Sequence, residues 1–308
     1  MNNMKKILKW SVISLLGLIV LLAAYTAYIM QSVDTVNMPQ NHGKVETKLY
    51  LAKDNKGEKQ PLIVVFGGGE GGNAWTRGRW KVTRDKFIDD GYAMLAVSYF
   101  GLPGTPDKLD RIALEGVHAA IQQAVTNNPA IEGRCVALIG VSKGAELALL
   151  LASRYSDIKS VVAIVPANAV YVAITDALTT SSFSHNGQSL PFVPFPWRAT
   201  LPLITGDKRK VFDIMAEDVA AVAAAKIKVE KINGPIFLMS ATNDEWWASK
   251  EMSDDMMARL KAKQFAHVHE HLVTTGDHAA PFKHIDKARQ FLNDNFKREV
   301  ATGCARKT

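Results

Sequence analysis

The sequence predicts an α/β fold, a mostly parallel sheet covered by helices on both faces, with one apolar helix ahead of it. Three observations carry this. Apolar runs of strand length, "PLIVVF", "YAMLAVSYF", "CVALIG", "IKSVVAIVPA" and "GPIFLMS", recur with helical patterns between them. Strands that alternate with helices imply parallel pairing, and continuously apolar strands are those buried on both faces. Ahead of them all stands "SVISLLGLIVLLAAYTAYIM", Ser11 to Met30, without one charged residue.

That first run is long enough to cross a bilayer as a helix. It exceeds the apolar region of a usual signal peptide, and no small-x-small site marks its end. The reading is an uncleaved anchor over 1–32, with a cleaved signal as the alternative. Lys5, Lys6 and Lys9 precede the run and Asp34 follows it, so the positive-inside rule puts the N-terminus in the cytoplasm and the rest outside. A polar linker follows over 33–44, and a catalytic domain is expected over 45–300, with a polar tail at 301–308.

Within the domain, "KVETKLYLAK" alternates as an edge strand does, and "PLIVVF" is a buried strand ending in the glycine-rich "GGGEGGNAW". A helix is expected near Arg79 to Asp89, then the strand "YAMLAVSYF". Leu114, Val117, Ile121 and Ala124 keep one helical face until "NNP" stops it at Asn127. From about Pro166 to Lys231 the alternation breaks, with four prolines between Pro191 and Pro202. This stretch reads as a cap insert. The strand pattern resumes at "GPIFLMSATNDE". A helix then carries Met252, Met256 and Leu260, "HVHEHLVTTGDH" is a last strand and loop, and Ile285, Ala288, Leu292 and Phe296 line a final helix.

Composition narrows the class. The chain has 308 residues, 47% of them hydrophobic, and a formal charge of +7. Three of those charges precede the apolar run; beyond Ser32 there are 34 basic and 30 acidic side chains. No basic block with interleaved aromatics is present, so nucleic acid is not an expected partner. The two cysteines form no disulfide framework. Cys135 reads as a buried small hydrophobe and Cys304 as part of the polar tail, so a bridge between them is not expected.

The chemistry gathers at "IGVSKGAELALLLAS", Ile139 to Ser153. Gly140, Ser142 and Gly144 join an apolar strand to an apolar helix, the context of a nucleophile elbow. The glycines are needed because a Cβ at either place would collide with the backbone of so tight a turn. A serine hydroxyl is a weak nucleophile that needs a base, and the base an orienting acid. In α/β-hydrolases they follow as acid, then histidine. Asp244 stands just past the strand "PIFLMS", and His278 stands in the loop after the next strand. Both are at C-terminal strand ends, where open parallel sheets place their sites.

Rival residues fit less well. Asp207 and Asp213 lie inside the insert and read as solvated or turn-forming, and Glu245 would need a different backbone direction. His267, His269 and His271 alternate along one strand and read as the polar face of an edge strand rather than a metal site. His118 and His284 fall on helices, and His42 and His185 in loops. For the tetrahedral oxyanion, the backbone N–H of Lys143 is one expected donor. The second is expected from Gly69 or Glu70 in the glycine-rich loop, whose spacing is poor for a dinucleotide. No metal or cofactor is required.

Three longer segments carry a resemblance. "GVSKGAELALLLAS", "SYFGLPGTPDKLDRIALEGVHAAI" and "VEKINGPIFLMSATNDEWWASKEMSDDMMARLKA" resemble the catalytic domain of acyl-CoA thioesterases and bile acid-CoA:amino acid N-acyltransferases. The similarity runs from roughly Pro61 to Phe282. It implies an α/β-hydrolase fold and a triad of Ser142, Asp244 (before "EWWAS") and His278 (before "AAPF"). Serine is the hydrolase version; the amino-acid-conjugating members carry cysteine. Thioesterase-type members carry an N-terminal β-sandwich where this sequence has an apolar span and a linker.

These readings converge on a membrane-anchored serine hydrolase acting on a small-molecule acyl ester or thioester. An acyl-CoA thioesterase or acyltransferase is the alternative, and a non-enzymatic lipid- or partner-binding domain stands behind both. Phe183, Phe192, Phe195 and Trp197 are expected to line the acyl pocket or to form the cap's own core.

Overall fold

The computed structural model describes residues 2–53 and 57–304. Helix α1 (Asn2–Ser32) is exposed along its length, and Met4–Ser32 is long and apolar enough to cross a membrane. The domain then builds a seven-stranded sheet and a small three-stranded one. Its strands in chain order are β1 (Glu46–Tyr50), β2 (Gln60–Phe66), β3 (Ala93–Ser98), the two-residue β4 (Ile112–Ala113), β5 (Ile131–Val141), β6 (Ile158–Ile164), the short β7 (Phe183–His185) and β8 (Gln188–Ser189), β9 (Ile236–Ala241) and β10 (His269–Thr274). Seven of them run in the spatial order β1-β3-β2-β5-β6-β9-β10. Only β1, at the edge, is antiparallel to its neighbour.

The helices are α2 (Lys81–Asp89), α3 (Leu114–Asn127), α4 (Lys143–Ala152), α5 (Thr200–Thr205), α6 (Lys208–Ala216), α7 (Val219–Ala225), α8 (Ser249–Ala262), α9 (Ile285–Phe291) and α10 (Lys297–Ala301). Side chains alternate between the two faces of a strand, and the core divides accordingly. Leu62, Val64 and Phe66 of β2 face a cluster with Val117, Leu147 and Met256. Ile63 and Val65 face the opposite cluster, with Phe87, Ala288 and Phe296. Both faces are covered, which is why these strands read as unbroken apolar runs. Leu292 and Phe296 do belong to the final helix, which widens to a π-turn at Leu292–Phe296.

The cap lies between β6 and β9. Its two short strands join β4 in the order β4-β7-β8, so β4 hangs the cap beside α3. The linker is docked rather than loose. Arg111, almost fully buried, donates to Asn37 O at 2.9 Å and Asp34 O at 2.5 Å and pairs with Asp110 at 2.8 Å. Ala113 N also donates to His42 O at 2.8 Å.

One expectation is corrected. Cys135 and Cys304 form a disulfide, with their Cα atoms 5.8 Å apart and 169 residues between them. The final helix runs back beneath β5, so the supposed polar tail is tied to the core at Cys304. Of that tail, residues 305–308 lie outside the described residues.

Candidate active site

Four loops, at the C-terminal ends of β2, β5, β9 and β10, meet at one cavity. The elbow comes first. Ser142 sits at φ 56°, ψ −120°, between β5 and α4, a backbone region non-glycine residues rarely adopt. Its N–H donates to Ile164 O at 2.9 Å, which anchors the strained residue to β6. A Cβ on Gly140 would fall 2.1 Å from Gly144 O, and one on Gly144 would fall 2.2 Å from Gly67 O. The two glycines are steric necessities of the turn, as the motif implied.

The candidate acid and base are brought together by the neighbouring loops. Thr242 N donates to Thr274 O and Asn243 N to Gly276 O, both at 2.9 Å, which zips the loop after β9 to the loop after β10. That places Asp244 Oδ1 2.8 Å from His278 Nδ1. The same oxygen accepts from Trp246 N at 3.0 Å and Trp247 N at 3.3 Å. Burial alone would raise the Asp244 carboxyl; the His278 hydrogen bond and charge and the Trp246 N–H outweigh it and hold the group below its ordinary value. Trp247 Nε1 donates to Val165 O at 3.2 Å, and its ring meets His278 edge-on, centroids 5.2 Å apart. Trp246 lies 5.7 Å from the same imidazole. The ring is thus held from one nitrogen and walled by two indoles.

The glycine-rich loop is oriented by a residue that sequence patterns did not single out. The buried Tyr99 hydroxyl donates to Gly67 O at 2.9 Å and Gly68 O at 3.3 Å. Because each peptide unit is planar and trans, a carbonyl pulled toward Tyr99 turns the following N–H the other way. A Cβ on Gly68 would lie 3.1 Å from Ser142 Cβ, which shows how closely this loop approaches the serine. Gly69, Glu70, Lys143, Ser142 and His278 all line the same cavity.

A second missed feature lies directly behind the elbow. Lys143 Nζ, buried, donates to Glu146 Oε2 at 3.0 Å and to Ser182 Oγ at 2.9 Å. Glu146 Oε1 accepts from Tyr171 N at 3.2 Å. Ser182 and Tyr171 belong to the cap, so this buried pair joins α4 to the cap. The signal was present in "SKGAE", where Lys and Glu stand three apart on one helical face.

The rivals are employed elsewhere. Asp207 caps α6 by accepting from Lys210 N at 3.0 Å, and Asp213 pairs with Arg209 at 2.8 Å. Glu245 accepts from the His278 backbone N–H at 2.8 Å, not from its ring. His118 meets Asp157 at 3.0 Å. Here one expectation changes: His271 is not on an open polar face. Its ring is largely buried, with Nε2 2.7 Å from Ser240 Oγ and Nδ1 3.2 Å from Asp254. Among the described residues no group of three or more His, Cys, Asp or Glu side chains could hold a metal ion.

The cavity measures about 670 Å³ and is walled mainly by apolar side chains, including Trp75, Trp80, Phe212, Met215 and Phe282. Of the four cap aromatics expected there, only Phe195 lines it. Phe183 is cap core, Phe192 packs against that core, and Trp197 is 86% exposed.

Residues 114–281 match the family model described as BAAT / Acyl-CoA thioester hydrolase C terminal. The chain belongs to this family. The BAAT / acyl-CoA thioester hydrolase match spans the elbow, the cap and both loops of the acid–base pair. Acyl-coenzyme A thioesterase 1 of Mus musculus is 23% identical over 225 residues, 73% of this chain and 49% of its own. The peroxisomal succinyl-coenzyme A thioesterase of Mus musculus is 24% identical over 73% of this chain and 49% of its own length. The chain therefore spans about half the length of these relatives. Among solved structures, Est1E of Butyrivibrio proteoclasticus with ferulic acid superposes with a TM-score of 0.52 at 16% identity, over 82% of this chain and 96% of that one. A candidate α/β hydrolase from Agrobacterium tumefaciens gives 0.52 at 13%, over 86% and 95%. The members of the family and these neighbours share the α/β-hydrolase fold, and this chain has it too.

Proposed function

We propose that this chain is a serine hydrolase that cleaves an acyl ester or thioester through Ser142, His278 and Asp244. The observation that carries the reading is the 2.8 Å contact from His278 Nδ1 to Asp244, with His278 and the strained Ser142 lining one cavity. Asp244 fixes the tautomer, so Nε2 is the nitrogen left to take the Ser142 proton as Oγ attacks the acyl carbon. Asp244 also offsets the charge of the imidazolium that forms. The oxyanion is held by the N–H of Lys143 at the head of α4, and by that of Gly69 or Glu70. The imidazolium then protonates the leaving group, and water, deprotonated by His278, resolves the acyl-enzyme. No step calls for a metal or cofactor.

The apolar cavity suits an acyl chain, and its volume lies in the usual range for small-molecule sites. We further read α1 as a membrane anchor, with 33–44 as linker, 166–231 as cap, and the hydrolase unit extended from 45–300 to Cys304. The disulfide supports an extracytoplasmic domain, because such bridges persist in oxidising compartments and are rare in the cytosol. There the enzyme meets simple acyl esters before it meets acyl-CoA. The relatives named above keep the acyl-CoA thioesterase reading as the second one.

Labelling with a fluorophosphonate, in competition with acyl esters and with acyl-CoAs of equal chain length, tests the proposal. Protection by esters and not by acyl-CoAs is expected. No labelling of the wild-type chain would sink the serine mechanism, and protection by acyl-CoAs alone would favour the thioesterase reading. Added amines that divert the acyl group would mark a transferase.

A further inference from the structure

Large exposed apolar side chains in the domain are scattered singly, with one exception. Trp197 is 86% exposed, Leu201 70% and Ile204 76%, all within eight residues of the cap. They lie in a 3₁₀ turn at Trp197–Ala199 that runs into α5. Positions i, i+4 and i+7 share one helical stripe; α5 then ends at the left-handed Gly206, and Lys208 opens the next helix, α6. The stripe stands beside the mouth of the cavity, since Leu203 of α5 and Lys208 at the head of α6 are part of its lining. Isolated exposed leucines need no explanation, but a contiguous apolar patch beside a binding site does.

The charges around it have one sign in excess. Lys208 stacks on the Trp246 ring at 3.3 Å, and Lys210 is exposed beside it. Arg77 and Arg79, also exposed, stand in the lining of the same cavity. Arg198 and Arg209 are neutralised by Glu217 and Asp213. The acids at hand are Glu70, in the lining, Glu245, which accepts from the His278 backbone, and Asp207, which is engaged in capping α6. Four cations thus face three carboxylates, two of them committed.

We propose that this stripe is seated in the surface of an anionic lipid bilayer, so that the cavity receives its acyl substrate from the membrane. The proposal rests on the reading of α1 as an anchor and of the cavity as the acyl site. A tryptophan and aliphatic side chains flanked by lysines match the headgroup boundary, where an amphipathic ring and cations are both favoured. The linker adds an independent observation. Asp34 and Asn37, within five residues of the end of α1, are clamped by Arg111 next to β4, and β4 pairs with β7 of the cap. The cap and the exit of the anchor are therefore tied to one small sheet, and the membrane that holds α1 is within reach of the cap.

The test uses the full chain in lipid nanodiscs of phosphatidylcholine, with or without phosphatidylglycerol, carrying lipids brominated near the headgroup. Tryptophan quenching is compared between wild type and Trp197→Phe, so that the signal of Trp10 and the other indoles cancels. A quenched component belonging to Trp197, stronger with phosphatidylglycerol, is expected. Leu201→Asp with Ile204→Asp should remove it. The same pair should lower turnover of a long-chain ester dissolved in the disc about tenfold or more, while a short water-soluble ester is turned over as before. An unquenched Trp197 overturns the proposal. So does a Trp197 shielded in step with protein concentration, which would mark a contact between copies. Quenching without hydrolysis of either ester would leave the docking intact and refute the hydrolase reading instead.

Discussion

Around Ser142 the backbone dictates the geometry, whereas in the cap the side chains do. At the elbow, carbonyls and Cα atoms pass so close that Gly140 and Gly144 cannot carry a Cβ, and Ser142 is held at positive φ by a bond to β6. The cap between 166 and 231 has three helices of six to nine residues and two strands of two or three. It is secured by the buried Lys143–Glu146 pair, by the Thr180–Asp110 hydrogen bond, and by apolar packing. A backbone-determined site tolerates little variation and suits chemistry that must not change. A cap secured by side chains can vary with the substrate while the reaction stays the same.

The sharpest way to break this comparison is at the serine. Ser142→Ala should abolish fluorophosphonate labelling and cut turnover by about 10⁴–10⁶, with the melting temperature nearly unchanged because alanine keeps the Cβ and the same backbone. Turnover within tenfold of wild type would show that the elbow is not the reacting centre.

Next comes the orienting acid. Asp244→Asn should lower kcat by up to about 10⁴, because an amide cannot offset the imidazolium or hold the required tautomer. A circular dichroism spectrum like wild type should accompany the loss. If Asp207→Asn or Asp213→Asn proved the costly change instead, the cap and not the strand ends would hold the acid.

The join between the two regions is tested at Glu146. Glu146→Gln leaves the Lys143 ammonium buried without its counter-charge, and breaking a buried pair costs about 3–5 kcal/mol. Urea denaturation should register that loss, and a loss under about 1 kcal/mol would mean that the pair does not hold the cap.

The smallest effect is expected from acid. The carboxyls of Asp157 and Asp244 are both held below their ordinary values. Burial opposes this in each, and the histidine partners, His118 and His278, outweigh it. A folded pKa below the unfolded one contributes stability above the unfolded value, about 3.9, and loses it as pH falls through the folded value. The melting temperature should therefore hold between pH 7 and about 4 and decline below. Asp157→Asn should shallow that decline, and an unchanged acid limb would remove Asp157 from the account.

The candidates Ser142, Asp244 and His278 stood out because each follows the C-terminal end of a strand. Strand period, glycine spacing and chain order are local properties, and the helical faces of α3, α8 and the final helix were readable for the same reason. Cys304 looked like tail because nothing near it in sequence reveals that α10 passes under β5. The edge histidines looked exposed because the packing of α8 across β10 is invisible to alternation along one strand. Tyr99, Arg111 and Ser182 carried no signal, since each acts through partners more than thirty residues away. Periodicity and steric necessity along the chain thus determined the sheet, the elbow and the order of the proposed triad. The disulfide, the clamp on the linker, the wall of the cavity and the exposed stripe were decided by tertiary contact alone. The physical reason is that burial and hydrogen bonding depend on which distant residues arrive, and loop closure leaves that choice open until the chain has folded.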